Sequence, residues 1–178
     1  KSNRSSVSFA KKSLILSSKN YLPFLINPTN DNSKKMLLAS NLAGKAINIS
    51  KTTAPHAVSY PFSTLFGISH GHAVSLFFEK FFKFNYNNID KSVTSFKLKE
   101  RFDLIFDIFD ASNINDFNSK ISLIKKKANL EDNLIKLNIN IEKNYESIIK
   151  GINLLRLGNN PVKIDGTDIQ KIIKQDEV

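Results

Sequence analysis

Three histidines, His56, His70 and His72, fall within 17 positions of one another, and the rest of the chain has none. Imidazole is the commonest side-chain ligand for borderline divalent metals, and it binds through a neutral ring nitrogen. His56 lies one turn into a helix expected to open near Thr52 or Thr53, and His70 lies at the start of the next. A helix–turn–helix can bring two ring nitrogens so placed to one point. The positive end of a helix also lowers an imidazole pKa, which at His70 favours the neutral, ligating form. Two readings stand side by side here: a metal-binding pair, or three unrelated histidines, one capping a helix and two packing. Two neutral rings leave a divalent charge uncompensated, so a working site wants a carboxylate and a further ligand. The nearest acids, Glu79 and Asp31, have no spacing that would aim them there. A real site would therefore be half a site, its other donors preceding Lys1.

Just before the first of these helices, Lys51-Thr52-Thr53 sets a cation and two hydroxyls beside a helix N-terminus, the makings of an anion cradle. Ordinary capping accounts for the threonines equally well. Cysteine is absent, which excludes disulfides, thiolate metal sites and thiol nucleophiles together.

The formal net charge of +10 raises the question of nucleic acid, but 23 of the 26 basic residues are lysine. Only Arg4, Arg101 and Arg156 offer the planar fork that nucleic-acid readers favour. Residues 1–50 hold eight basic residues against the single acid Asp31. Solvated helix faces, or a face meant to meet another domain, explain that excess better than a phosphate track. No apolar run approaches the ~20 residues of a membrane span. The opening Lys1-Ser2-Asn3-Arg4-Ser5 is not a signal peptide. A chain that opens without Met and in mid-pattern is expected to be a piece of a longer one.

The elements that must position these residues read as helices throughout. Apolar spacing predicts a helix over 3–26, bent or ended by Pro23, then the turn cluster Asn27–Asn32. A second helix carries Met36, Leu37, Ala39, Leu42, Ala43, Ala46 and Ile47 on its apolar side, with Ala43, Gly44 and Ala46 small enough for close helix contact. A third, capped by Thr52 or Thr53 with Pro55 in its first turn, runs to Phe66 and stops at Gly67. A fourth starts near Ser69 and, with Ala73, Val74, Phe77, Phe78, Phe81 and Phe82, is apolar nearly all round, as suits a central helix. Further helices are marked by Leu98–Phe109, Phe117–Ala128 and Ile141–Ile152; Asn159-Asn160-Pro161 breaks the chain, and Thr167 is expected to cap a last short helix. The expectation is one all-α helical bundle over 1–178, a single metal-binding, catalytic domain.

In order and register these motifs resemble a known family. The run Met36 to Ile47, then His56, fourteen positions, and His70-Gly71 is similar to the C-terminal domain of the iron-containing alcohol dehydrogenase family, within the dehydroquinate-synthase-like group. The approach, Asn20-Tyr21-Leu22-Pro23 with Asn27-Pro28-Thr29, resembles the family's "LP…P-(T/D)" link, and Asn160-Pro161 its C-terminal segment. The resemblance implies that His56 and His70 are the last two protein ligands of a catalytic divalent metal, iron(II) or zinc. It implies that the first two, an aspartate and a histidine four residues later, lie just before this chain, after a nucleotide-binding domain that holds NAD(P)H.

Many members have a further histidine four residues after the first of these ligands, lining the substrate and nicotinamide pocket. That position is Tyr60, which can hold or pass a proton but titrates far higher. His72 falls where dehydroquinate synthases have a glutamate and is a second candidate to line the pocket. Lys51-Thr52-Thr53 looks like the branch acting on phosphonate- or phosphate-bearing aldehydes. The activity so implied is NAD(P)-linked alcohol oxidation or aldehyde reduction by the complete protein, the 178 residues alone being inactive and binding metal weakly. The expected setting is cytoplasmic, as a homodimer, with a small alcohol or aldehyde as partner and neither nucleic acid nor membrane. The competing readings are a lyase of the same superfamily and a non-enzymatic basic helical module.

Overall fold

The computed structural model describes residues 2–174, and among these nine α-helices, one 3₁₀ turn and no strand are found. The all-α expectation holds. The helix expected to open near Thr52 or Thr53 runs Ala54–Phe66, with Pro55 in its first turn and Gly67 left-handed at its end.

The chain forms two compact units, one of residues 1–51 and 103–129, the other of residues 52–102 and 130–178. In the first, α1 (Arg4–Ile26) and α2 (Asn30–Ser50) form a helical hairpin. Both begin in reciprocal capping boxes, Asn3 with Ser6 and Thr29 with Asn32, which satisfy orphan backbone donors at each start. Pro23 stands inside α1, three residues before its end, and the helix continues past it to Ile26. The seam between the two helices is made of small residues. Ser6, Ser13, Ala39 and Ala46 are buried, and the Ser13 hydroxyl donates to the Ala39 carbonyl at 2.8 Å. The seam differs from the expected apolar side: Leu37 and Ile47 face outward and Gly44 is exposed, because the close approach is set by Ala39 and Ala46 seven residues apart. The same unit holds α6 (Ile114–Lys127), whose buried Phe117 meets the rings of Phe106 and Phe109 at 5.9 and 5.2 Å. Those two phenylalanines belong to α5 (Leu98–Phe109), whose first five residues lie in the other unit.

The second unit holds α3 (Ala54–Phe66), α4 (His70–Asn87), α7 (Ile141–Gly151), the single turn α8 (Leu154–Leu157) and α9 (Gly166–Lys174). Its core is built where α3 and α4 cross. Ala54, Ala57, Val58 and Phe62 meet Ala73, Phe77 and Phe81, and the Phe62 and Phe77 rings are 4.5 Å apart. Ile141 and Ile148 of α7 and Ile169, Ile172 and Ile173 of α9 close over them. Phe78 and Phe82 of α4 are only half-buried, so its apolar surplus covers a second seam, with Phe82 and Tyr86 both edge-on to Phe102. Residues 129–140 have no regular helix yet bury Leu134 and Ile139 in the same core. The last helix is capped by Asp165, whose carboxylate accepts from the Asp168 amide at 2.9 Å. Thr167 lies inside it: a carboxylate one residue ahead of the first turn complements the helix dipole better than a hydroxyl two residues in.

Candidate active site

Positions 56, 59 and 60 share one face of α3, being three and four residues apart. The short link through Gly67 turns the chain back along that face. Gly67 takes φ of +67°, a conformation that costs a side-chain-bearing residue energy and glycine almost none. His70, the first residue of α4, therefore lies against α3. Its ring is 5.5 Å from the His56 ring and 5.4 Å from the Tyr60 ring, centroid to centroid.

Ser59, fully buried, supports the pair from below. Its hydroxyl donates to the His56 carbonyl at 2.9 Å, which leaves the Ser59 oxygen to accept. His70 Nδ1 stands 3.4 Å from that oxygen. The arrangement favours the tautomer with hydrogen on Nδ1 and a lone pair on Nε2, as found where a neighbour orients a metal-ligating histidine. Ser59 was invisible as a functional residue in the sequence, although its spacing from His56 is the signal that would have found it. His56 is half-buried, and its pKa falls from 6.5 to about 4, mainly through burial and then through the neighbouring His70 and Arg156. It is a neutral base at physiological pH.

The remaining candidates separate. His72 leaves α4 on the side opposite His70, as residues two apart in a helix do. Its Nε2 is 2.5 Å from the Glu131 carbonyl oxygen, so it ties α4 to the 129–140 segment and does not join the pair. Lys51 ends α2, its ammonium turned back to the Asn48 carbonyl at 2.7 Å. Thr53 is the N-cap of α3 by backbone geometry but makes no side-chain cap bond. Thr52 is buried, and its hydroxyl accepts from Arg156 Nη1 while its carbonyl accepts from Asn159 Nδ2.

Arg156, on α8, is the site residue that sequence reasoning missed. Its guanidinium is centred 5.7 Å over the Tyr60 ring. Nothing in the spacing of positions 52, 60 and 156 announces this contact; α7 and α8 packing on α3 creates it. Among the described residues, no three His, Asp or Glu side chains gather where one metal ion could take all of them.

The chain has close structural counterparts. An archaeal halo-thermophilic alcohol dehydrogenase from a Red Sea brine pool superposes with a TM-score of 0.85 at 22% identity, over 96% of this chain and 44% of its own. A 1,3-propanediol oxidoreductase gives 0.81 at 18% identity, over 98% and 46%. Sulfoacetaldehyde reductase from Bifidobacterium kashiwanohense, solved with NAD+, gives 0.79 at 24% identity, over 98% and 43%. At these identities the likeness concerns the fold, and the chain spans less than half the length of each. No curated protein sequence matches it. The model of the Fe-containing alcohol dehydrogenase family, C-terminal, matches residues 7–176, nearly the whole chain, and it is to this family that the chain belongs.

Proposed function

We propose that this chain is the metal-holding part of an NAD(P)-linked alcohol dehydrogenase that also works as an aldehyde reductase. The observation that carries this reading is the His56–His70 pair. Two imidazoles bound to one tetrahedral ion through bonds of ~2.1 Å hold their centroids roughly 5 Å apart. The 5.5 Å separation meets that requirement before any ion is bound. His56, held neutral by burial, and His70, oriented by Ser59, supply nitrogen donors of the kind that iron(II) or zinc(II) takes. Two donors are half of a four-coordinate set. The other two are assigned to a segment preceding this chain, an Asp-x-x-x-His pattern that adds the missing negative charge.

A divalent metal held in part by His56 and His70 would supply Lewis-acid polarisation of a carbonyl oxygen, and a nicotinamide held outside this chain would supply hydride. The residues of this chain position and protonate. Tyr60, against His70 and beneath Arg156, is the residue whose hydroxyl holds or passes a proton to the alcohol oxygen. Ser59 fixes the His70 ring, and His72 anchors α4 from the far side. The substrate is a small aldehyde or alcohol, and positive charge beside Thr52 favours phosphonate- or phosphate-bearing aldehydes.

Cobalt(II) reports imidazole ligation by its visible absorption and tests the assignment directly. The 178-residue chain should bind it weakly. His56→Ala and His70→Ala should each abolish that binding, and His72→Ala should leave it intact. Binding indifferent to His56 and His70 would remove the basis of the reading. In the complete protein, His56→Ala should cost both metal and turnover.

A further inference from the structure

We propose that Arg156 is the receptor for an anionic group on the substrate, selecting aldehydes or alcohols that carry a carboxylate, sulfonate or phosphonate. The proposal rests on the reading of His56 and His70 as the reacting end of the site.

The geometry supports it in three ways. The guanidinium is half-buried, and no carboxylate pairs with it among the described residues. A guanidinium is charged at every physiological pH and carries five donors, of which one is used here, from Nη1 to the Thr52 hydroxyl. Its other nitrogens are open to solvent rather than sealed in the fold, so an oxyanion reaching them meets donors that no protein group occupies.

The guanidinium is also held ready. Thr52 grips one edge, and the Tyr60 ring supports its face at 5.7 Å, so few rotamers remain to be lost on binding. Its planar fork matches the paired oxygens of an oxyacid, which a lysine ammonium does not. The nearby Lys51 is in any case turned to its own helix end.

The third support is position. The Tyr60 ring lies 5.4 Å from the His70 ring and 5.7 Å from the Arg156 guanidinium, so the metal-ligating end and the cationic end share Tyr60 as a common neighbour. A short substrate with a carbonyl at one end and an anion at the other can meet both ends beside that one ring. This places the selecting charge at Arg156, where the sequence had pointed to Lys51, Thr52 and Thr53.

The test is a titration of the 178-residue chain with methylphosphonate, methanesulfonate and acetate, and with ethanol as the neutral control, at constant ionic strength. Binding is followed by the NMR signals of the Arg156 side chain and the Tyr60 ring. Saturable shifts with the anions and none with ethanol are expected. Arg156→Gln should weaken anion binding about tenfold or more, as loss of charge-assisted hydrogen bonds does, and Arg156→Lys should recover only part of it. Unchanged far-UV circular dichroism of both variants keeps the comparison one of binding. Equal anion affinity in Arg156→Gln, or no saturable shift in the parent chain, overturns the proposal. Cobalt(II) titration of the same samples separates the two claims. If the anions ignore Arg156 while cobalt still needs His56 and His70, this inference falls and the dehydrogenase reading stands. If Arg156 captures the anions while cobalt ignores both histidines, the anion receptor stands and the dehydrogenase reading falls.

Discussion

His56 is the residue where burial, charge and chemistry meet, and its protonation has a measurable consequence for stability. Its pKa is about 4 in the fold, against 6.5 for the free side chain. On acidification the unfolded chain therefore takes up this proton first. Stability contributed by the neutral folded form is intact above pH 6.5 and is lost as pH falls from about 6.5 to about 4. Thermal melts of the metal-free chain should show the melting temperature falling across that window, with His56→Gln flattening the fall. An identical pH dependence in parent and variant would mean that the site is more open to water than its burial indicates. Asp116 and Glu131 also titrate low, each held down chiefly by a backbone amide, from Ser112 and Asn133. Their contribution is lost as pH falls from the ordinary carboxylate range to below it, so the upper part of the His56 window, nearer pH 6.5, can be read apart from theirs. Of the residues in the site, His56, His70 and Tyr60 were legible because the first and last are one helical turn apart and His70 follows the next break. Arg156 was not. Its partner Thr52 lies far away in sequence, and the approach of an arginine to a threonine leaves no periodic trace.

At the scale of elements, the helices were readable from apolar spacing, and their ends from cap chemistry. Gly67 closes α3 with φ of +67° and has nothing within 4 Å of where a Cβ would stand. Gly67→Ala should therefore cost ~1 kcal/mol through backbone strain alone. Gly151 is the opposite case: an added Cβ would lie 2.8 Å from Pro61 Cβ. Gly151→Ala should destabilise by ~1–3 kcal/mol by overpacking α7 on α3. Urea denaturation of both variants checks the two figures, and equal, negligible costs would show that the α3–α7 contact yields freely. The misreadings at this scale share one cause. Hydrophobicity alone points Leu37 and Ile47 inward, but the α1–α2 seam admits only small side chains, and a leucine there would hold the helices apart. Residue type alone makes Thr167 a cap, while Asp165 sits where the dipole makes a carboxylate the better partner.

At the scale of the whole molecule, the core that carries the site is the crossing of α3 and α4, and Phe77 is fully buried at its centre. Phe77→Ala should cost ~3–5 kcal/mol and loosen the site with the core, read as a lower melting temperature together with weaker cobalt binding by the same protein. The net charge of +10 invites a different test. With only three arginines and a lysine excess read as solvated helix faces, the chain should show no tight, steeply salt-dependent affinity for duplex DNA. A steep loss of affinity between 50 and 200 mM salt, unaffected by His56→Ala, would favour the basic-module reading instead. No helix among the described residues is long and apolar enough to cross a membrane.

The amino-acid sequence by itself determined that the chain is helical, where most helices begin and end, and that two histidines on consecutive helices lie within reach of each other. Those properties are local: apolar period, cap residues and turn glycines act over a few positions, so they can be read in order along the chain. Tertiary structure alone decided that His72 points away to the Glu131 carbonyl, that Ser59 orients His70, and that Arg156 arrives over Tyr60 from about a hundred residues downstream. It also decided that α5 begins in one compact unit and ends in the other. These depend on which helix faces have small enough side chains to approach and which buried polar atoms then find partners. Contacts of that kind are settled by packing in three dimensions; spacing along the chain tells which helix face a residue shares, as Ser59 shares that of His56, but not what comes to meet that face.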